Sequence, residues 1–120
     1  MGTKVLNNQA DFVVKFPDGS IVVGKPRFDT YRFTIQKIGI DRVSQFAQIS
    51  ELKRLGQPYI NRQRNRVLDE NGYKQEYIGG YYVISNLSAL NMARFLRDLS
   101  NELNLGLTIY NPCKTPLAEK

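Results

Sequence analysis

Two kinds of apolar spacing alternate along this chain and divide it into strands and helices. Phe12-Val13-Val14-Lys15-Phe16 and Ile21-Val22-Val23 are β-branched or aromatic runs joined by Pro17-Asp18-Gly19-Ser20, so Asp11 to Gly24 reads as a β-hairpin. Asp29 or Thr30 can then cap a helix, in which Phe28, Tyr31, Ile35 and Ile38 recur at helical spacing. Gly39 stands where a left-handed helix end is wanted, and Asp41 can restart a short second helix that turns Val43, Phe46 and Ala47 inward. Ile49, Leu52 and Leu55 suit a helix, but the run is too short to decide the matter. Pro58-Tyr59-Ile60 reads as extended.

Further along, Tyr77-Ile78 and Tyr81-Tyr82-Val83-Ile84 read as strand interrupted by Gly79-Gly80, the pattern of a bulge or a close backbone approach. Bulky groups at both alternations, Tyr81 with Val83 and Tyr82 with Ile84, are expected of a central strand. Ser85 or Asn86 caps the clearest helix, whose stripe is Leu87, Leu90, Leu96, Leu99 and Leu103, widened by Met92, Ala93 and Phe95. Gly106 ends it, Leu107 to Tyr110 forms a last strand, and Asn111-Pro112 stops the fold. Interspersed strands and helices with no repeat or linker predict one α+β domain over residues 11–111. Its architecture should be a twisted, mainly antiparallel sheet with two main helices packed on one face. Residues 1–10 and 112–120 are polar and read as flexible ends.

Several of these segments occur in an order worth noting: the Pro17-Asp18-Gly19 hairpin, Thr34-Ile35-Gln36-Lys37-Ile38-Gly39-Ile40-Asp41-Arg42-Val43, and Gly79-Gly80-Tyr81-Tyr82-Val83-Ile84-Ser85. With the Leu-rich helix ending in Asn104-Leu105, they resemble a small bacterial α+β domain, often of unknown function, carried by mobile-element and defence-related proteins. The similarity spans roughly residues 12 to 110; its motifs are structural punctuation rather than catalytic signatures, so it implies an accessory module and lends mild support to nucleic-acid contact. Helix 87–103 departs from the pattern in lacking a Lys-rich first turn.

Composition narrows the chemistry. The 120 residues include no histidine and one cysteine, which removes Ser-His-Asp and Cys-His catalysis, imidazole-ligated metals and any internal disulfide. Cys113 lies beside Lys114 in the polar tail with no base or partner acid, so it reads as a stray thiol rather than a nucleophile. No apolar run approaches the roughly 20 residues of a membrane span, and Met1 to Gln9 has no hydrophobic stretch resembling a secretory signal. A cytoplasmic protein with no membrane partner is expected. No cofactor motif is found: Gly56 and Gly79-Gly80 lack the spacing and the following Lys-Ser/Thr of a phosphate-cradling loop.

Charge changes the picture most. Seventeen Lys and Arg stand against eleven Asp and Glu, a net charge of +6 that favours polyanionic partners. Between Lys53 and Arg66 there are five cations, Lys53, Arg54, Arg62, Arg64 and Arg66, and no acid. Gly56-Gln57-Pro58 breaks what precedes, Asn61 to Arg66 offers nothing apolar to bury, and Asp69-Glu70-Asn71-Gly72 carries a turn signature. Residues 61–76 therefore read as an exposed, mobile hairpin or long loop. If extended, Arg62, Arg64 and Arg66 point to one side about 6 to 7 Å apart, each able to fork onto a phosphate. The same loop could equally be solvated surface that keeps the protein soluble. The phosphate reading requires the row to face solvent with no carboxylate neutralising it.

The expected function is a non-enzymatic nucleic-acid-binding module, directed to DNA rather than RNA. Lys53, Arg54, Arg62, Arg64, Arg66 and Lys74 would contact phosphates, and Tyr59, Tyr73 and Tyr77 would stack on bases or support the arginines. Tyr81 and Tyr82 could also stack, though tyrosines in a central strand more often pack. The alternative is a phage or mobile-element module that docks on an acidic protein surface and regulates a nucleic-acid enzyme, since Arg and Tyr suit protein interfaces equally. A free sheet edge could also pair across a two-fold axis and give a homodimer. Pro17-Asp18 with Glu51-Leu52-Lys53 matches the order of a PD…ExK nuclease, in which the acids hold Mg²⁺ and Lys53 orients water. Asp18 in a Pro-Asp-Gly turn favours ordinary turn chemistry instead. The helix pair 29–38 and 41–47 is permissive for a helix-turn-helix, with Arg42, Ser44, Gln45 and Gln48 outward, but it is also ordinary packing.

Overall fold

Alternating apolar positions place the strands, and the side chains of Asn65 and Ser88 cap the starts of two of the helices. The computed structural model describes residues 12–24 and 26–110. The readings for residues 1–11, for Asn111-Pro112, for Cys113 and for the rest of the tail lie outside them. The described residues fall into two compact units, one built from residues 12–24, 26–37 and 88–110 and one from residues 38–87.

In the first unit, β1 (Val13–Lys15) pairs antiparallel with β2 (Ile21–Val22) and with β8 (Thr108–Tyr110), giving the order β2-β1-β8. The reversal between β1 and β2 is held by Asp18, whose Oδ1 accepts from the backbone N–H (2.8 Å) and the hydroxyl (2.6 Å) of Ser20. Those two bonds are the main reason the Asp18 carboxyl is held below its ordinary value. Turn chemistry therefore accounts for this aspartate. Helix α1 (Arg27–Ile38) starts two residues earlier than Asp29, and buries Tyr31 and Ile35. Helix α4 (Ala89–Leu103) buries Met92, Ala93, Phe95, Leu96 and Leu99, and the Tyr31 and Phe95 rings meet edge to face at 6.1 Å. Met92, Phe95, Leu96 and Leu99 each contribute about 1.5 to 3 kcal/mol of transfer free energy, and Ala93 less.

The ends of α4 differ from expectation. Ser88, not Ser85 or Asn86, caps the start, its hydroxyl accepting from Asn91 N–H at 3.1 Å. Leu87 is buried ahead of the helix, and Leu90 is 51% exposed. Asn104 in the left-handed conformation ends the helix two residues before Gly106, a position in which asparagine is tolerated.

The second unit contains α2 (Ile40–Ile49), which buries Val43, Phe46 and Ala47 as its spacing requires. The stretch Ile49 to Leu55 leaves the helix and becomes a small hairpin, β3 (Lys53–Arg54) with β4 (Gln57–Pro58). Three more strands, β5 (Ile60–Asn61), β6 (Gln75–Ile78) and β7 (Tyr81–Ile84), form an antiparallel sheet in the order β5-β7-β6, so Tyr81 to Ile84 is indeed central. The α+β class is as expected. The strands, however, are divided among three small antiparallel sheets rather than assembled in one. Among the described residues, no helix is long and apolar enough to cross a membrane.

The glycine pair is a turn rather than a bulge, and the close approach expected of it is found at Gly79, where a Cβ would stand 3.0 Å from Ile40 Cγ2. Gly79 and Gly80 do not interrupt a strand; both have positive φ (55° and 94°) and form the two-residue turn between β6 and β7. Consecutive positive φ values match the twist of a tight hairpin, and glycine reaches them without a Cβ penalty. Ile78 then lies opposite Tyr81, and Tyr77 opposite Tyr82.

Candidate nucleic-acid interface

The acid-free run begins in the β3–β4 hairpin. Leu55 (φ 55°) and Gly56 (φ 77°) make its turn, and Leu55 is 53% exposed at the tip. Lys53 and Arg54 are half-buried and serve the backbone: Lys53 Nζ reaches the Gln48 carbonyl at 3.4 Å, and Arg54 donates to the Lys53 carbonyl at 2.9 Å. The Arg54 guanidinium also lies 5.6 Å from the centre of the Tyr59 ring. Tyr59 itself is wholly buried, which corrects its assignment as a base-stacking residue: no base can reach a ring with no accessible surface.

Beyond β5 the segment 61–76 is not an open loop. Arg66 to Glu70 forms a short helix, α3, because Asn65 caps it, its side chain accepting from Leu68 N–H at 3.1 Å. Leu68 supplies the buried anchor that the polar run 61–66 lacks. Gln75 grips the cap, donating to the Asn65 carbonyl and accepting from the Asn65 N–H, both at 3.0 Å, while Asn65 Nδ2 donates to Gln57 at 2.7 Å. Asn71-Gly72 closes the helix rather than turning a hairpin.

This folding also removes the evenly spaced arginine row. Arg62 donates to the Tyr81 hydroxyl at 3.0 Å, and that hydroxyl donates to Asp41 Oδ1 at 2.8 Å. Arg64 donates through Nε to Asp69 Oδ2 at 2.7 Å, and Asp69 Oδ1 accepts from Gln75 at 2.9 Å. The bond to Asp69 and its charge raise the Arg64 pKa, with a smaller contribution from Tyr82. Reciprocally, the Arg64 hydrogen bond, followed by that of Gln75, lowers the Asp69 carboxyl. Arg66 Nε stands 3.9 Å from Glu70, one helical turn on. The acids absent from the sequence run are thus returned to it by the helix, so the requirement that no carboxylate neutralise the row is not met at Arg64 or Arg66, and the phosphate reading has to rest on what those pairs leave exposed. Exposure survives: the Arg64 and Arg66 side chains are 63% and 88% accessible. Lys74 is exposed and pairs with no described carboxylate, its backbone N–H being held by Asn86 Oδ1 at 2.9 Å. Tyr73 is half-buried beside it.

Tyr77 and Tyr82, each named above as able to stack, are brought together on one side of β5-β7-β6, a pairing that the sequence reading does not predict. Tyr77 and Tyr82 face each other across strands with ring centres 5.0 Å apart, and Tyr77 is 66% exposed. Alternation along the strands puts Ile60, Ile78, Tyr81 and Val83 on the buried side, so Tyr81 is core. Reading Gly79-Gly80 as a hairpin turn and counting outwards would have located the pair. For the nuclease pattern, Glu51 is exposed and Lys53 is spent on a carbonyl, and among the described residues no group of three acids or thiols gathers as a metal cluster. No protein-family model matches this chain, and neither a curated protein nor a solved structure does.

Proposed function

We propose that residues 38–87 form a non-enzymatic nucleic-acid-binding module, with DNA the expected partner. The observation that carries this reading is the way the arginines are held. Arg64 engages its carboxylate through Nε, leaving the terminal amino groups for another acceptor, and both Arg64 and Arg66 remain largely exposed. An exposed ion pair contributes little to stability, and one made through Nε alone leaves the other donors of the fork for an anion, so such a pair orients a guanidinium without consuming it. Lys74 adds an exposed cation, and Arg62 a guanidinium steadied by Tyr81. Lys53 and Arg54, committed to the hairpin backbone, contribute charge rather than contacts. Because Asp69 and Glu70 sit beside the arginines, the local field is weaker than five unopposed cations would give.

The test is the salt dependence of binding to duplex DNA. If Arg62, Arg64 and Arg66 each meet a phosphate, replacing all three by alanine flattens the slope of log affinity against log salt by about 2 to 3. An unchanged slope in a folded variant rejects the assignment. A second reading is favoured by one observation: Ile49 (69% exposed) and Leu55 are large apolar side chains left in water, Leu55 in a backbone conformation that leucine rarely adopts. Exposed apolar groups of that kind suit a protein surface. A single stoichiometric protein co-purifying without nucleic-acid absorbance would replace the first reading with a regulator of a partner enzyme.

A further inference from the structure

We propose that the exposed face of the β5-β7-β6 sheet stacks the unpaired bases of a single-stranded nucleic acid on Tyr77 and Tyr82. This deepens the nucleic-acid reading and rests on it. The rings lie on adjacent strands, centres 5.0 Å apart and inclined by 55°, so they offer two neighbouring aromatic surfaces in one place. Tyr77 leaves two thirds of its surface in water, far more than a tyrosine kept for packing needs.

The surroundings suit a polyanion's bases. Of the strand residues that alternate onto this face, Ile84 is buried at one end, Tyr82 is half-buried, and none of Asn61, Gln75, Tyr77 and Tyr82 is an acid, while Glu76 projects to the other side; the one carboxylate bonded to the face, Asp69 on Gln75 at 2.9 Å, is already paired with Arg64. Arg64, held through Nε by the Asp69 carboxylate that also bonds Gln75 of this face, keeps its terminal amino groups available for the phosphate between two stacked bases. Cations outnumber acids six to three between Lys53 and Glu76 (Lys53, Arg54, Arg62, Arg64, Arg66, Lys74 against Asp69, Glu70, Glu76), so the segment attracts a phosphate chain. A duplex hides its base faces in its own stack, whereas a single strand presents them, and every base has one. Selectivity for unpaired strands, without strong sequence preference, follows.

The experiment measures binding of the full chain to labelled oligothymidine and oligouridine of about 16 nucleotides, the upper end of site sizes for such platforms, and to a mixed-sequence duplex of equal length. The proteins are wild type, Tyr77→Ala, Tyr77→Phe and the Arg62, Arg64 and Arg66 triple alanine variant. Tyr77 is exposed, so its replacement leaves the core intact. Single strands are expected to bind more tightly than duplex, with Tyr77→Ala weakening them about tenfold and Tyr77→Phe, which keeps the aromatic face, restoring wild-type binding. The deoxy and ribo arms show which sugar is preferred. If Tyr77→Ala binds single strands as wild type does, while the triple variant loses duplex binding, the stacking proposal is overturned and the nucleic-acid reading stands. If the wild-type chain binds none of the three probes, both fall together.

Discussion

Removing one oxygen atom tests how Arg62 is held. In Tyr81→Phe the ring remains in its buried position and the Arg62 guanidinium, 5.1 Å from its centre, keeps its aromatic neighbour. What disappears is the hydroxyl that accepts from Arg62 at 3.0 Å and donates to Asp41 at 2.8 Å. A hydrogen bond to a charged group contributes about 1.5 to 3 kcal/mol when its partner stays dry. Here Asp41 and Arg62 are both exposed and regain water when the hydroxyl is gone, so the two bonds together should contribute about 1.5 kcal/mol. With a urea slope of about 1.5 kcal/mol/M, the unfolding midpoint falls by about 1 M. Tyrosine fluorescence reads the right part of the molecule: the chain has no tryptophan, and five of its seven tyrosines, Tyr59, Tyr73, Tyr77, Tyr81 and Tyr82, lie within residues 38–87. Asp41→Ala should cost less in the Tyr81→Phe background than in wild type, because its partner is already missing. A midpoint that does not move, together with additive effects in that cycle, would refute the three-residue link.

Two further outcomes probe the ordered basic segment. Asn65→Ala removes the cap of α3 and its bond to Gln57, and should destabilise residues 38–87 by about 1 kcal/mol in the same urea assay, with Asn65→Asp largely retaining the cap. Asp69 predicts a pH dependence: its folded carboxyl binds a proton less readily than the unfolded one, so its stabilisation is complete above the ordinary value of 3.8 and is lost as pH falls through the lower folded value. The stability difference between wild type and Asp69→Asn should therefore shrink as acid is added below pH 3.8; a difference constant across that range contradicts the Arg64–Asp69 pairing.

How far the sequence can be read depends on the range of the interaction that decides each element. The Pro17-Asp18-Gly19-Ser20 reversal, the inward residues of α2 and most of those of α4 follow from neighbours a few positions apart and are legible, Leu90 being the exception that turns outward. Helix ends were less so, because Ser85, Asn86 and Ser88 offer similar caps and the choice falls to where Leu87 is buried. Segment 61–76 was misread for another reason. Its helix has only five residues and one buried side chain, Leu68, and its cap is secured by Gln57 and Gln75, 8 and 10 residues away in sequence. No local propensity announces such a structure. Tyr59 misled because a tyrosine beside a basic run looks available, whereas its burial is decided by the fold around it.

The same distinction governs what charge in a sequence means for binding. Between Lys53 and Arg66 the chain is acid-free when read along its length, but α3 brings Asp69 five positions on to Arg64 and Glu70 four positions on to Arg66. Linear density therefore overstates the field, while understating the order. A guanidinium fixed at one side by a carboxylate loses less freedom when it meets a phosphate than one swinging on a mobile loop, since part of that ordering is already complete. The arginines thus offer fewer net charges and better-defined positions, and on the stacking proposal the Tyr77–Tyr82 pair of the same unit would give those positions bases to work with. If binding depends on position more than on charge, then neutralising Asp69 raises the local charge yet does not strengthen binding, because the anchor that aims Arg64 goes with it.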